Sequence, residues 1–332
     1  MILLKEFRGE LLIFINDTIA RYNLDSKVYK EHHIPKLQPN EEQPCVSSVC
    51  VSKNHDYLAV ALDNKQLITF DNAFNVLTNT LCKRSVSRIK FSLNNDLLIA
   101  DKTGDVFLYK RDSGDKPQLV LGHLSMLLDI EVSECGKYII TSDRDEKIRV
   151  SCYPNAYNIV SFCLGHREFV TNVAAHGDVL ISASGDGTIR LWNYLNGNEL
   201  ALANSNDHIS DKTVISDFCK GMSAESVDVE TVPIKDMQVF VKDNLIYASS
   251  PLLAFYLNEQ LVLLTSNDLT IYDWCGQEQK ESSLKQVYGH CKHLFSNYID
   301  LSSSMVSTLY KRKYDNVQDY LDKKKMRLEN KS

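Results

Sequence analysis

His166, Ser182 and Asp186 lie close together in the chain, and residues of these types can run acyl transfer. In that chemistry an aspartate orients an imidazole and the imidazole activates a hydroxyl. No Gly-x-Ser-x-Gly elbow surrounds Ser182, however, and Trp192 follows at a short interval. With an indole N–H available, the four side chains read as a hydrogen-bond chain. The aspartate accepts from the imidazole, the imidazole from the hydroxyl, and the hydroxyl from the indole. Such a chain satisfies groups whose burial would otherwise cost ~1–3 kcal/mol each. We therefore assign His166, Ser182, Asp186 and Trp192 a structural role and expect no catalytic residue. His290, Cys291 and His293 carry ligand types, but their spacing matches no standard zinc pattern. No dinucleotide fingerprint, phosphate-cradling loop or zinc helix occurs, so no cofactor and no metal are expected.

The second chemistry is charge. Asp143-Arg144-Asp145-Glu146-Lys147 puts five consecutive ionisable residues where a related stretch reads Ser184-Gly185-Asp186-Gly187-Thr188. A solvated hairpin tip accounts for many charge runs. Alternating signs on a short turn instead fit an electrostatically matched protein contact, and this is the reading we favour. Asp101-Lys102-Thr103-Gly104-Asp105 forms the preceding turn and would lie beside it. Lys83, Arg84, Arg88 and Lys90 make a basic cluster upstream. Lys83 and Arg84 are candidates for contact with a partner or a nucleic acid. Strand alternation puts Arg88 and Lys90 on one face, where exposure alone explains them.

These residues sit in a repeat. Gly122-His123 and Gly165-His166 recur about forty residues apart, as do Asp145 and Asp186, Ile148-Arg149 and Ile189-Arg190. Alternating apolar stretches at 11–22, 57–70 and 97–109 flank turn residues near 17, 64 and 105. Asp268 falls two further periods beyond Asp186. A fixed period of this length is that of a four-stranded propeller blade, and counting one degenerate blade it predicts an all-β, seven-bladed β-propeller over residues 1–310. In this count the turn at 143–147 belongs to the third blade and that at 101–105 to the second. The N-terminal strand is expected to pair with the last blade and close the ring. Residues 195–232, with seven Asp/Glu and two Lys, are expected to be a long acidic loop, poorly ordered at its centre. A basic tail follows at 311–332, with eight Lys/Arg against four Asp/Glu. Tyr310, Tyr314, Val317, Leu321 and Leu328 recur in it at helical spacing, either as a solvated helix or as a partner-binding one.

Bulk properties bound the rest. The 332 residues are 44% hydrophobic and 24% charged, with a net charge of −6. No apolar run is long enough to span a bilayer, and no membrane association is expected. The 9 cysteines include no Cys-x-x-Cys pair and read as free thiols in a reducing compartment. An acidic body with a basic tail is not a general nucleic-acid binder.

Three stretches carry a resemblance: Leu121-Gly122-His123-Leu124-Ser125-Met126-Leu127-Leu128-Asp129, Asp143-Arg144-Asp145-Glu146-Lys147-Ile148-Arg149, and Ser161-Phe162-Cys163-Leu164-Gly165-His166. With Ala100–Val106 and the segments 309–311 and 314–317, they resemble the WD-repeat non-catalytic subunit of the eukaryotic tRNA (guanine-N7-)-methyltransferase complex. The likeness covers about residues 97–194 and 309–321. It implies a WD-repeat propeller that does not methylate. Such a subunit binds the catalytic methyltransferase subunit as a heterodimer, stabilises it and helps seat tRNA for variable-loop guanine methylation. Carried over by position, the partner contact would involve Lys102, Arg144, Glu146, Lys147 and Arg149. The resemblance also implies a nuclear location, with the cytoplasm as an additional one. The competing expectation is a general WD-repeat scaffold, an adaptor for ubiquitin ligation or genome maintenance.

Overall fold

The computed structural model describes residues 2–37, 44–111, 116–242, 245–249, 254–257, 260–264, 269–272 and 302–310, together with residues 287, 290 and 293. Its strands fall into antiparallel sheets in chain order. Sheet one holds β1 (Ile2–Phe7), β2 (Glu10–Ile15), β3 (Thr18–Asn23) and β4 (Tyr29–His33). Sheet two holds β5 (Val46–Val51), β6 (Tyr57–Leu62), β7 (Gln66–Asp71) and β8 (Val76–Leu81). Sheet three holds β9 (Val86–Phe91), β10 (Leu97–Asp101), β11 (Asp105–Tyr109) and β12 (Gln118–Gly122). Sheet four holds β13 (Leu127–Val132), β14 (Tyr138–Asp143), β15 (Ile148–Cys152) and β16 (Ile159–Cys163). Sheet five holds β17 (Val170–His176), β18 (Val179–Ser184), β19 (Thr188–Asn193) and β20 (Asn198–Asn204). Two shorter sheets follow: β21 (Gln238–Lys242) with β22 (Leu245–Ser249), then β23 (Ala254–Leu257), β24 (Gln260–Leu264) and β25 (Leu269–Tyr272).

Successive first strands are neighbours: β1 meets β5, β5 meets β9, β9 meets β13, β13 meets β17, and β23 returns to β1. This is a propeller, and the seven sheets among the described residues are compatible with seven blades. Second strands are sandwiched between flanking sheets, so β6, β14 and β18 are buried at every position but their first. That explains their continuous apolar runs, where a sheet with one wet face would alternate. Fourth strands form the wet rim, and β20 has no buried residue. Leu98, Ala100 and Val106 of sheet three pack with Leu127, Ile130 and Ile139 of sheet four. Ile140, Ile148 and Val150 of sheet four pack with Val170, Leu180 and Trp192 of sheet five. Sheet four is thus clamped from both sides.

Three expectations need correction. The N-terminal strand β1 pairs with β2 in its own complete sheet and meets β23 by packing, not by strand pairing. The turns at 143–147 and 101–105 belong to the fourth and third sheets, because residues 2–33 already form a whole blade. Residues 195–232 are not a disordered acidic loop. They contain β20 and a helix α1 (Lys212–Ala224), whose N-cap Asp211 accepts from the Thr213 amide. Met222 and Val227 are buried against Phe169, Val306 and Tyr310. Tyr310 follows helix α2 (Ser302–Leu309), and its hydroxyl donates to the Gly185 carbonyl. These anchors hold an acidic segment that its composition alone would leave loose. The expected tail helix at 311–332 lies outside the described residues.

Candidate partner-binding face

In sheet five the His166 network has full geometry. Trp192 Nε1 donates to Ser182 Oγ at 2.8 Å, Ser182 lies 2.7 Å from His166 Nε2, and His166 Nδ1 lies 3.0 Å from Asp186 Oδ2. Burial pushes the Asp186 carboxyl up, but hydrogen bonds from His166 and Thr188 outweigh it and hold the group well below the usual carboxylate range. Ser182 and Trp192 are fully buried, so the hydroxyl has no approach for a substrate. The four side chains tie the sheet together.

Sheet four uses the same scheme with a shift. His123 Nδ1 lies 2.9 Å from Asp143 Oδ2, and Nε2 lies 2.8 Å from Thr141 Oγ1. The buried acid is therefore Asp143, not Asp145, which the repeat pattern had aligned with Asp186. The signal was present: His123 to Asp143 and His166 to Asp186 are both 20 residues apart. With Asp143 turned inward, Asp145, Glu146 and Lys147 form the tip. Asp143 Oδ1 accepts from the Asp145 amide at 2.9 Å and the Lys147 amide at 3.0 Å, which fixes the tip's main chain. Glu146 sits at φ 67, in the left-handed region where the corresponding turn of sheet five has Gly187 at φ 75. A side chain there costs about 1–2 kcal/mol relative to ordinary backbone.

The charged residues do not all face outward. Ser151 stands where sheet five has Trp192, and Arg149 takes up its hydroxyl: Nε donates to Ser151 Oγ at 2.9 Å. The same guanidinium donates to the carbonyls of Gly122 (3.2 Å) and Ala156 (2.9 Å). Arg149 is a brace behind the turn, and burial lowers its pKa. Its side chain is half-buried, so the brace accounts for its inner atoms. Lys147 is exposed, and among the described residues its ammonium reaches only the Asp145 carbonyl, at 3.4 Å. Arg144 is half-buried, and its Nε has no hydrogen-bond partner.

The neighbouring turn joins the same face. Lys102 is exposed, and its amide donates to the Ser85 carbonyl at 3.0 Å. Lys83 and Arg84 are exposed in that adjoining connection. Turns between second and third strands, and connections between sheets, leave the strands at the same end. Lys83, Arg84, Lys102, Arg144, Glu146 and Lys147 therefore share one face over sheets three and four. Arg88 and Lys90 do not join them and are not a simple exposed strand face. They lie on the inner strand β9, paired with β13: Arg88 with Asp129 at 3.4 Å, Lys90 with Glu131 at 2.6 Å. Burial works against the Lys90 charge, yet Glu131 holds its ammonium above the ordinary lysine range.

Among the described residues no cluster of three metal-ligating side chains occurs, and no helix is long and apolar enough to cross a membrane. His290 stacks on Tyr29 at 5.2 Å, His293 pairs with Glu31 at 2.9 Å, and Cys291 lies outside the described residues.

Residues 109–270, which include the charged turn, match the family model described as the tRNA methyltransferase TRM82 WD40 domain. A Danio rerio protein described as tRNA (guanine-N(7)-)-methyltransferase non-catalytic subunit wdr4 is 32% identical over 325 residues. The match covers 87% of this chain and 78% of that protein. The chain belongs to this family of non-catalytic subunits. A Culex quinquefasciatus member, wuho, is 31% identical over 89% of this chain and 78% of its own length. The Xenopus laevis member is 44% identical over 162 residues, 47% of this chain and 41% of its own. Among solved structures, a chain of the mitotic checkpoint complex shares the fold at TM-score 0.56 and 14% identity, covering 83% of this chain and 78% of that one. The C-terminal WD40 domain of Sif2 does so at TM-score 0.54 and 16% identity, covering 82% and 66%.

Proposed function

We propose that this chain is the non-catalytic subunit of a tRNA (guanine-N7-)-methyltransferase, and that it grips the catalytic subunit with the face over sheets three and four. The observation that carries this reading is the Asp143–Lys147 turn. Its main chain is fixed by a buried aspartate, and both signs of charge stand at its tip. A ready-made tip loses little conformational entropy on binding and selects a partner of matching charge pattern. The chain thereby stabilises the catalytic subunit and helps seat tRNA for variable-loop methylation, in a heterodimer located in the nucleus. Lys83 and Arg84 stand beside the neighbouring Lys102 turn, exposed to either the partner or tRNA phosphates.

The test is co-purification of the catalytic subunit with wild-type and Lys147→Glu chains, followed by nucleoside analysis of cellular tRNA. Cutting one side of a desolvated charge pair costs about 2–5 kcal/mol of binding. The variant should lose the partner, and 7-methylguanosine in tRNA should fall with it. Unchanged 7-methylguanosine on depletion of the chain would favour a general scaffold instead. Imaging of the tagged chain checks the location.

A further inference from the structure

We infer that Leu124 and Leu164 are the apolar anchors of this face. They bracket the charged turn and fit a protein surface with leucine-sized pockets beside its charged groups, that of the catalytic subunit. The inference rests on the function proposed above and adds the residues that supply its apolar contact.

Leu124 is 108% exposed, as open as in an extended peptide. Single exposed leucines are common on protein surfaces and need no explanation. This one differs because the chain on both sides of it is locked. The His123 amide donates to the Gly104 carbonyl at 2.8 Å, and the Met126 carbonyl accepts from the Arg144 amide at 2.9 Å. The His123 ring is held by Asp143 and Thr141. A Cβ on Gly104 would lie 2.5 Å from the His123 carbonyl, so the connection and the Lys102 turn are in close contact. The backbone cannot retract the leucine without breaking bonds to two turns. Equivalent positions, three residues before the inner strand, are Lys83 in sheet three and Arg167 in sheet five. Sheet four alone of these three places an apolar group there.

Leu164 stands on the other side of the turn. Ile148, the residue after Lys147, pairs with Cys163, and Leu164 leaves the strand directly after Cys163 at that same end of the sheet. It is 62% exposed. The face therefore reads apolar, charged, apolar, in the order Leu124, Arg144 to Lys147, Leu164. Binding energy at protein interfaces concentrates in a few desolvated anchors, with charges around them giving selectivity. Leucine offers nothing to a phosphate backbone, and Asp145 and Glu146 at the tip repel one. A protein, not RNA, suits this strip.

The test uses the full chain and its purified catalytic subunit. Leu124→Asp, Leu164→Asp, Leu124→Ala and Leu124→Met are compared by calorimetry, with thermal unfolding of each variant as the folding control. Loss of one buried leucine side chain corresponds to roughly 10- to 100-fold in Kd. Both aspartate variants should weaken binding by at least that much at unchanged Tm, Leu124→Ala by about 10-fold, and Leu124→Met should restore most of the affinity. Their loss should persist when salt is raised to about 1 M, where screening shortens to about 3 Å and purely charged contacts fade. Wild-type affinity for both aspartate variants, with Lys147→Glu still defective, overturns the anchors and leaves the face in place. Wild-type affinity for Lys147→Glu as well removes the face itself. A fall in tRNA affinity of the chain alone, with subunit binding unchanged, overturns the inference in favour of RNA.

Discussion

Glu146 and Arg149 are neighbours in sequence and do opposite jobs. Glu146 occupies a left-handed position that a glycine would hold without strain. Glu146→Gly should leave stability unchanged or raise it by about 0.5–1 kcal/mol, read by urea unfolding, while weakening capture of the catalytic subunit. A gain in stability with loss of the partner separates function from folding at one residue. Arg149→Leu should act through the fold. Three donors leave Ser151, Gly122 and Ala156, and the turn loses its brace. Stability should drop by about 1–3 kcal/mol, lowering Tm by several degrees, and partner binding should fall as a consequence. In the sequence Arg149 stands in the repeated Ile-Arg pair and, by resemblance, among the partner contacts. Its inward direction shows only in the folded sheet, where the Ser151 hydroxyl and the Gly122 and Ala156 carbonyls converge on its guanidinium.

Sheet five depends on ionised Asp186. Its folded pKa is depressed, so the group contributes stability that is fully present above the unfolded value, near ~3.9, and lost as pH falls below it. Asp186→Asn should lower stability at neutral pH and flatten the loss of stability seen in the wild type between about pH 5 and 3. Denaturant unfolding across that range measures both. The repeat made this network readable because sheets four and five both carry it, with His and Asp 20 residues apart in each. Helix α1 was not readable. Its anchors Phe169, Val306 and Tyr310 are distant in sequence, and the 195–232 stretch around it is rich in acidic and polar residues. Met222→Asp should cost about 3–5 kcal/mol locally and abolish hydrogen-exchange protection of Lys212–Ala224, while sheets one to three keep theirs. The ring also closes differently from the sequence expectation. Residues 2–33 contain four strands of their own, leaving β1 nothing to lend to the last sheet.

At the scale of the whole molecule, a ring of sheets presents one end of its third and fourth members as a stiff, mixed-charge surface. The inner-strand pairs Arg88–Asp129 and Lys90–Glu131 help fix the angle between neighbouring first strands. Flanking sheets clamp sheet four through apolar cores on both sides. The surface therefore moves as one body with the ring. A binding defect from reversing its exposed charges should come without unfolding, unlike one from cutting Arg149. The most direct measurement is the Kd of the purified catalytic subunit for the chain carrying Lys102→Glu and Lys147→Glu together, both exposed positions, with circular dichroism confirming the fold. The account predicts a native spectrum and an affinity reduced by at least about 100-fold. A native spectrum with wild-type affinity would contradict it.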